Sequence, residues 1–130
     1  MTAISYLDAS AMVKLAVDEL ESPAMLRWYV ESEQVVSSRV GLIETHRATG
    51  RRLHDSTQLD IVLRSVVAVE LDETIGRRAA QVSPFALRTL DAIHLATALS
   101  VGPGLDAFVT YDDRLAEAAR ALGLPVVRPA

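Results

Sequence analysis

Short apolar segments typical of β-strands alternate along this chain with segments of helical periodicity. The strand pattern covers residues 4–7, 34–38, 66–71, 106–110 and 125–127. Helices are predicted at 9–16, from Ser22 onward, at 40–54, around 59–63, and at 73–82, 88–101 and 112–122. Strands that alternate with helices favour one parallel sheet covered on both faces. The predicted fold class is therefore α/β, a three-layer α/β/α domain with a central parallel sheet of four to five strands, over residues 1–130.

The composition is that of an ordinary globular domain without cysteine chemistry. Half of the residues are hydrophobic and 23% are charged, which argues against disorder. The absence of cysteine excludes disulfides, zinc–thiolate sites and thiol nucleophiles. We see neither a signal peptide nor an apolar run long enough to span a bilayer, so we expect a cytoplasmic protein with no membrane partner.

The charge balance alone does not decide whether the partner is a nucleic acid. The net charge is −4, which disfavours such a partner. Lys14 is the only lysine among 13 basic residues, and the arginines would suit phosphate recognition. A GC-rich genome would produce the same bias, and we give that explanation the larger weight.

Four carboxylates, Asp8, Glu44, Asp91 and Asp112, adjoin apolar segments that should pack inside. Taken singly, Asp8 and Asp112 could be helix caps. Asp91 could stabilise its helix from the first turn, where a negative charge interacts favourably with the helix dipole. Glu44 has apolar neighbours and is expected to face the interior. Because the carboxyl ends of parallel strands meet at one edge of the sheet, these acids can converge there.

A convergent set of acids needs a compensating partner. Two carboxylates ~4 Å apart repel by about 4 kcal/mol at an effective dielectric constant near 20. Protonation, arginine partners or a divalent cation could relieve that repulsion. An oxygen-only ligand set favours Mg²⁺ or Mn²⁺ over zinc, and those ions act on phosphates.

Several polar residues near these acids could support such a site. Ser10 and Thr110 could orient a carboxylate or a metal-bound water, or simply cap, and Ser10 is the predicted N-cap of the first helix. His94 could be a ligand or base, although a packed, hydrogen-bonded histidine is the preferred interpretation. The histidines and arginines of the third helical segment could form a basic face for RNA or be merely solvated: His46, Arg47, Arg51, Arg52 and His54.

The chain closely resembles the PIN-domain ribonucleases, and within them the VapC toxins of bacterial toxin–antitoxin systems. The resemblance rests on Tyr-Leu-Asp-Ala-Ser at 6–10, on Glu44, on Arg-Thr-Leu-Asp-Ala-Ile-His-Leu-Ala-Thr-Ala at 88–98, and on Phe-Val-Thr-Tyr-Asp-Asp-Arg-Leu-Ala-Glu-Ala-Ala at 108–119. The match runs nearly end to end. The first motif alone is weak, whereas the last two, in this order and separation, are specific.

The resemblance implies a PIN fold and Mg²⁺- or Mn²⁺-dependent hydrolysis of RNA phosphodiester bonds, leaving 5′-phosphate and 3′-hydroxyl ends. By position, Asp8 and Asp91 match the main metal-binding acids, and Glu44 and Asp112 match acids that complete the site directly or through water. Ser10 and Thr110 match supporting hydroxyls, and Asp113 falls at a variable position. The resemblance also implies inhibition by a small VapB-type antitoxin, and we expect a homodimer.

Three alternatives remain open at this stage. The chain could be a PIN-type RNA-processing nuclease outside a toxin–antitoxin pair. It could be an aspartyl-phosphate receiver or phosphatase-like domain, although Ser10 and the sequence after the third strand fit those patterns poorly. It could also bind RNA or a partner without catalysis. A further stripe, Met25, Trp28 and Tyr29, could contribute to an antitoxin groove or dimer face, with core packing slightly preferred.

Overall fold

The computed structural model describes residues 2–52 and 56–130, and strands and helices alternate there as predicted. The strands are β1 Ile4–Leu7, β2 Gln34–Ser38, β3 Val66–Val69, β4 Leu105–Val109 and β5 Val126–Val127. The α-helices are α1 Ala9–Ala16, α2 Ser22–Glu31, α3 Arg39–Gly50, α4 Thr57–Leu63, α5 Glu73–Gln81, α6 Thr89–Val101 and α7 Asp113–Ala121. None of these helices is long and apolar enough to cross a membrane.

All five strands are parallel, in the order β3-β2-β1-β4-β5. The chain builds the sheet outward from β1 through β2 and β3, and then returns to the other side of β1 for β4 and β5. In open parallel sheets, a reversal of this kind opens a crevice at the carboxyl ends of the two central strands. This rule places the crevice between the ends of β1 and β4. The predicted parallel α/β fold is confirmed.

The sheet separates two hydrophobic layers because successive side chains of a strand point to opposite faces. Leu7 of β1 packs in one layer against α1, α2 and α4, whereas its neighbour Tyr6 packs in the other against α6 and α7. Met25 is fully buried in the first layer, and Trp28 and Tyr29 pack against it half-buried. This stripe of α2 therefore serves the core.

Helix α1 has the predicted bounds, but its N-cap differs from the prediction. The helix begins at Ala9 with Asp8 as its N-cap, because the Asp8 carboxylate accepts a hydrogen bond from the Ala11 amide at 2.9 Å. The prediction that Ser10 caps this helix was therefore wrong: Ser10 lies in the first turn, and its hydroxyl donates to Asp8 instead.

The structure also defines the C-terminal ends of α3 and α7. Helix α3 ends at Gly50, so the predicted extension to 54 lies partly outside the described residues, as does His54. Helix α7 is followed by Gly123 at φ +81°, a left-handed conformation that glycine adopts without a Cβ penalty.

Candidate active site

Asp8 is the most deeply buried acid of the predicted site. It follows β1 directly, and the pairing of Leu7 with Val109 places it beside Thr110 of the adjacent strand end. Only 3% of Asp8 is exposed. Its carboxylate accepts hydrogen bonds from the Ser10 hydroxyl at 2.7 Å and the Thr110 hydroxyl at 2.5 Å, in addition to the Ala11 amide. Burial raises the pKa of Asp8, while His94 in its protonated form and the hydroxyl donors act in the opposite direction.

The loop after β4 is tied to the loop after β1 by the same hydroxyls. The buried Thr110 hydroxyl accepts from the Asp112 amide at 3.0 Å, and the Ser10 hydroxyl accepts from the Tyr111 amide at 2.8 Å. Asp112 is the N-cap of α7 and uses Oδ1 to accept from the Leu115 amide at 3.1 Å. Ser10 and Thr110 therefore fix Asp8 and the backbone at Asp112 in one hydrogen-bonded unit.

Asp91 stands in the first turn of α6 and is half-buried. Burial raises its pKa, and the nearby charges of Asp112 and Glu44 raise it further, whereas His94 and Arg88 lower it. Asp112 and Glu44 therefore lie near enough to Asp91 for their charges to act on its carboxyl group.

Glu44 is held by a buried histidine that bridges it to β1. His94 Nε2 lies 3.0 Å from Glu44 Oε1, and His94 Nδ1 lies 2.6 Å from the Tyr6 hydroxyl. Burial raises the pKa of Tyr6 well above its usual range, so the phenol keeps its proton and can donate it to Nδ1. That arrangement leaves Nε2–H to donate to Glu44.

The approach of His94 to α3 depends on Gly41. A Cβ at that position would lie 2.5 Å from His94 Cε1 and 3.1 Å from the Ser37 hydroxyl, so a larger residue requires the ring to move. The packed, hydrogen-bonded state expected for His94 is observed. Sequence reasoning did not find Tyr6 or Gly41, although a glycine inside a helix signals a packing constraint.

The oxygen donors match the chemistry of a hard divalent cation, but they are not drawn together around one point. Within residues 2–52 and 56–130, no group of three or more His, Asp or Glu side chains lies close enough to hold a metal ion. Glu44, Asp91 and Asp112 are all half-buried, so their carboxylates are not locked in the interior as Asp8 is. As the structure places them, the four carboxylates therefore do not form a single ligand shell.

Residues that were predicted outside the site, or left open, lie on the surface. The Asp113 side chain is 89% exposed and pairs with Arg128 at 2.8 Å. Arg47 and Arg51 are exposed on α3, and Arg52, just beyond the helix, pairs with Glu19 at 3.2 Å. His46 is likewise exposed, so this end of α3 is a solvated basic surface.

Comparison with known proteins identifies the fold family. The model of the PIN domain family matches residues 5–121. The chain belongs to the PIN-domain family. Ribonuclease VapC46 of Mycobacterium tuberculosis is 41% identical to this PIN domain, over 99% of each chain. This membership sets aside the receiver and phosphatase alternatives.

Solved structures share the fold of this PIN domain at low sequence identity. The crystal structure of Mycobacterium tuberculosis VapC20, described as a sarcin–ricin loop cleaving toxin, aligns with a TM-score of 0.76 at 18% identity, covering 98% of this chain and 100% of that one. A toxin–antitoxin complex from Klebsiella pneumoniae aligns with a TM-score of 0.72 at 21% identity, covering 97% and 98%. The predicted PIN-like three-layer fold is therefore confirmed.

Proposed function

We propose that this PIN domain is a divalent-metal-dependent endoribonuclease and the toxin of a toxin–antitoxin pair. The observation that carries the proposal is the buried Asp8 carboxylate at the switch point of the sheet, linked through the Thr110 hydroxyl to the backbone of Asp112. The charge of Asp112 in turn acts on Asp91 in the first turn of α6. The relative named as a ribonuclease, aligned over nearly its whole length, supports RNA as the substrate.

We assign Asp8 and Asp91 as the principal ligands of Mg²⁺ or Mn²⁺, with Glu44 and Asp112 completing the site directly or through water. Burial raises the pKa of Asp91 and repulsion from Asp112 and Glu44 raises it further, and a cation placed among these acids would relieve that repulsion. A bound divalent ion supplies an acidified water and positive charge at the scissile phosphate.

The chain's own residues then have separate tasks. Ser10 and Thr110 orient the Asp8 carboxylate and favour its ionised form against the burial that raises its pKa, because both donate hydrogen bonds to its oxygens. His94 fixes the direction in which Glu44 points. The N-cap role of Asp112 occupies Oδ1 and leaves Oδ2 without a hydrogen bond to any described residue.

The partner is a small VapB-type antitoxin, a proposal supported by the fold shared with the toxin–antitoxin complex. An arginine of the antitoxin would suit the acidic crevice, since a guanidinium can pair with two carboxylate oxygens and compete with the metal. The expected homodimer and cytoplasmic location stay predictions, and light scattering of the purified chain would test the former.

A cleavage assay with matched aspartates tests the nuclease assignment. Asp8→Asn and Asp91→Asn should abolish cleavage of labelled RNA in Mg²⁺ or Mn²⁺ while the chain remains folded. Asp112→Asn should reduce cleavage strongly, whereas Asp113→Asn, the same change one residue away, should leave it unaltered. Undiminished cleavage by both Asp8→Asn and Asp91→Asn would overturn the assignment.

A further inference from the structure

A cavity of about 310 Å³ opens beside Asp91, between the segment that precedes α6 and one face of α7. Its wall on the α7 side is formed by residues spaced as one helical face, Arg114, Glu117, Ala118 and Ala121. Its opposite wall is formed by Pro84, Ala86, Leu87, Arg88 and Asp91. Because Asp91 lines it, the cavity is continuous with the proposed active site.

The cavity joins an apolar interior to a charged rim. Leu87, Ala118 and Ala121 supply apolar surface, and the two alanines leave the space open. Arg88 and Arg114 are exposed, and neither forms an ion pair with a described residue. The charge of Arg88 reaches Asp91, whose pKa it lowers.

We propose that this cavity, here called the Leu87–Ala118 cavity, receives the base of a nucleotide adjoining the scissile phosphate of single-stranded RNA. The proposal rests on the proposed nuclease function. A polyanion that approaches a set of carboxylates needs cations beside them, and Arg88 and Arg114 are positioned to contact the flanking phosphates.

The shape and chemistry of the cavity fit a nucleobase. A base has apolar faces and a polar edge, so the apolar walls can cover its faces while the Glu117 carboxylate accepts from an amino or imino group at its edge. A base in a duplex cannot enter such a cavity, because its faces are stacked and its edge is paired. The substrate should therefore present an unpaired nucleotide, as in a loop or single strand.

RNA binding without cleavage gives the first test. The affinity of the full chain for a fluorescent single-stranded RNA would be measured by anisotropy in EDTA, for wild type, Arg88→Ala, Arg114→Ala and Ala121→Phe. Each arginine variant should weaken binding and reduce the slope of log affinity against log salt by about 0.7, the value for one phosphate contact on a single strand. Ala121→Phe should weaken binding without changing that slope, because it fills space and keeps the charge.

Arg120 provides matched controls on the same helix. It is exposed but does not line the cavity. Arg120→Ala removes the same charge as the test variants, and Arg120→Phe adds the same ring as Ala121→Phe on another face. Both should bind RNA nearly as wild type does. Circular dichroism and melting temperature would establish that every variant is folded.

An abasic scan locates the base. Each nucleotide of a cleavable RNA is replaced in turn by an abasic one, and binding is measured for wild type and Ala121→Phe. An abasic replacement at one position next to the cleaved bond should lower the affinity of wild type for the RNA about fivefold or more. That cost should disappear in Ala121→Phe, since the cavity is already filled.

The outcomes separate this proposal from the function on which it rests. If wild type cleaves RNA but the abasic profile is flat, or identical in Ala121→Phe, the cavity does not receive a base and the nuclease assignment stands. If cavity variants leave RNA binding unchanged and lose only inhibition by an antitoxin, the occupant is a protein segment and the proposal is overturned. Cleavage that survives loss of both Asp8 and Asp91 carboxylates would instead remove the nuclease assignment.

Discussion

Replacing Asp8 by asparagine should change the stability of the fold little in the absence of a divalent cation and lower it, relative to wild type, in its presence. Without metal, the wild type carries a buried carboxylate whose ionisation is opposed by burial. Asparagine removes that charge and can keep the cap, because its side-chain oxygen accepts from the Ala11 amide as the carboxylate does. Its NH₂ group can donate to the Thr110 hydroxyl, which becomes an acceptor. We therefore expect the metal-free variant to be within about 1 kcal/mol of wild type, the scale of one exchanged hydrogen bond.

With metal, the wild type should be much more stable than Asp8→Asn. An ion that binds only the native state at a concentration of 100 Kd stabilises it by about 2.7 kcal/mol. For a chain of this length, 1 kcal/mol corresponds to roughly 3–5 °C in melting temperature, so the wild type should gain on the order of 10 °C. Asp8→Asn should gain only a fraction of this shift.

Thermal unfolding over a titration of MgCl₂ and of MnCl₂ measures both effects. Asp113→Asn is the matched control, because that carboxylate is 89% exposed and pairs with Arg128 outside the crevice. The melting temperature of Asp113→Asn should rise with metal concentration as that of wild type does. Equal shifts for wild type and Asp8→Asn would place the metal elsewhere and refute the reasoning.

Two further outcomes follow from the site. In EDTA, the raised pKa of Asp8 and of Asp91 means that their protonated forms favour the folded state. This contribution to the free energy of unfolding is complete below about pH 4 and is lost as the pH rises through the raised values. Urea unfolding at several pH values should show that a variant with both residues changed to asparagine loses less stability as the pH rises, and parallel curves for the variant and wild type would contradict this prediction. Gly41→Ala should destabilise the chain by about 1–3 kcal/mol, because the added Cβ would collide with His94. The control Gly76→Ala, whose Cβ would have no neighbour within 4 Å in α5, should stabilise the chain by about 0.5–1 kcal/mol. Equal changes in the free energy of urea unfolding would show that the His94 ring can move aside without loss of stability.

The fold was predictable because its signals are local. Each strand appears as a short β-branched run and each helix as a periodic segment, so element order and parallel pairing follow from the chain alone. The position of Asp8 and Asp112 after β1 and β4 then follows from topology. The distinction between Asp112 and Asp113 came from the family pattern, and the structure shows the physical difference, since Asp113 faces solvent.

The parts that sequence reasoning missed depend on contacts between distant residues. Tyr6 meets His94 across 88 residues and His94 meets Glu44 across 50. The strand pattern indicates only that Tyr6 is buried in the core, not that its hydroxyl meets His94. The Met25 stripe shows the same limit, because amphipathic spacing reveals that a face is covered but not whether the chain or a partner covers it. Ser10 was misassigned as a cap because Asp8 and Ser10 both have oxygens suited to that role.

The distribution of burial among the four acids limits the repulsion between them. Only Asp8 is deeply buried, and it is surrounded by neutral donors, while Glu44, Asp91 and Asp112 remain partly in solvent that screens their repulsion. Among the described residues, no arginine or lysine forms an ion pair with any of the four. Burial raises the pKa of Asp8 and of Asp91, so protonation of these two residues also reduces the repulsion. Within the described ranges, His94 forms an ion pair with Glu44, and Arg88 acts on Asp91 without forming one, so a divalent cation would add counter-charge that these contacts do not supply.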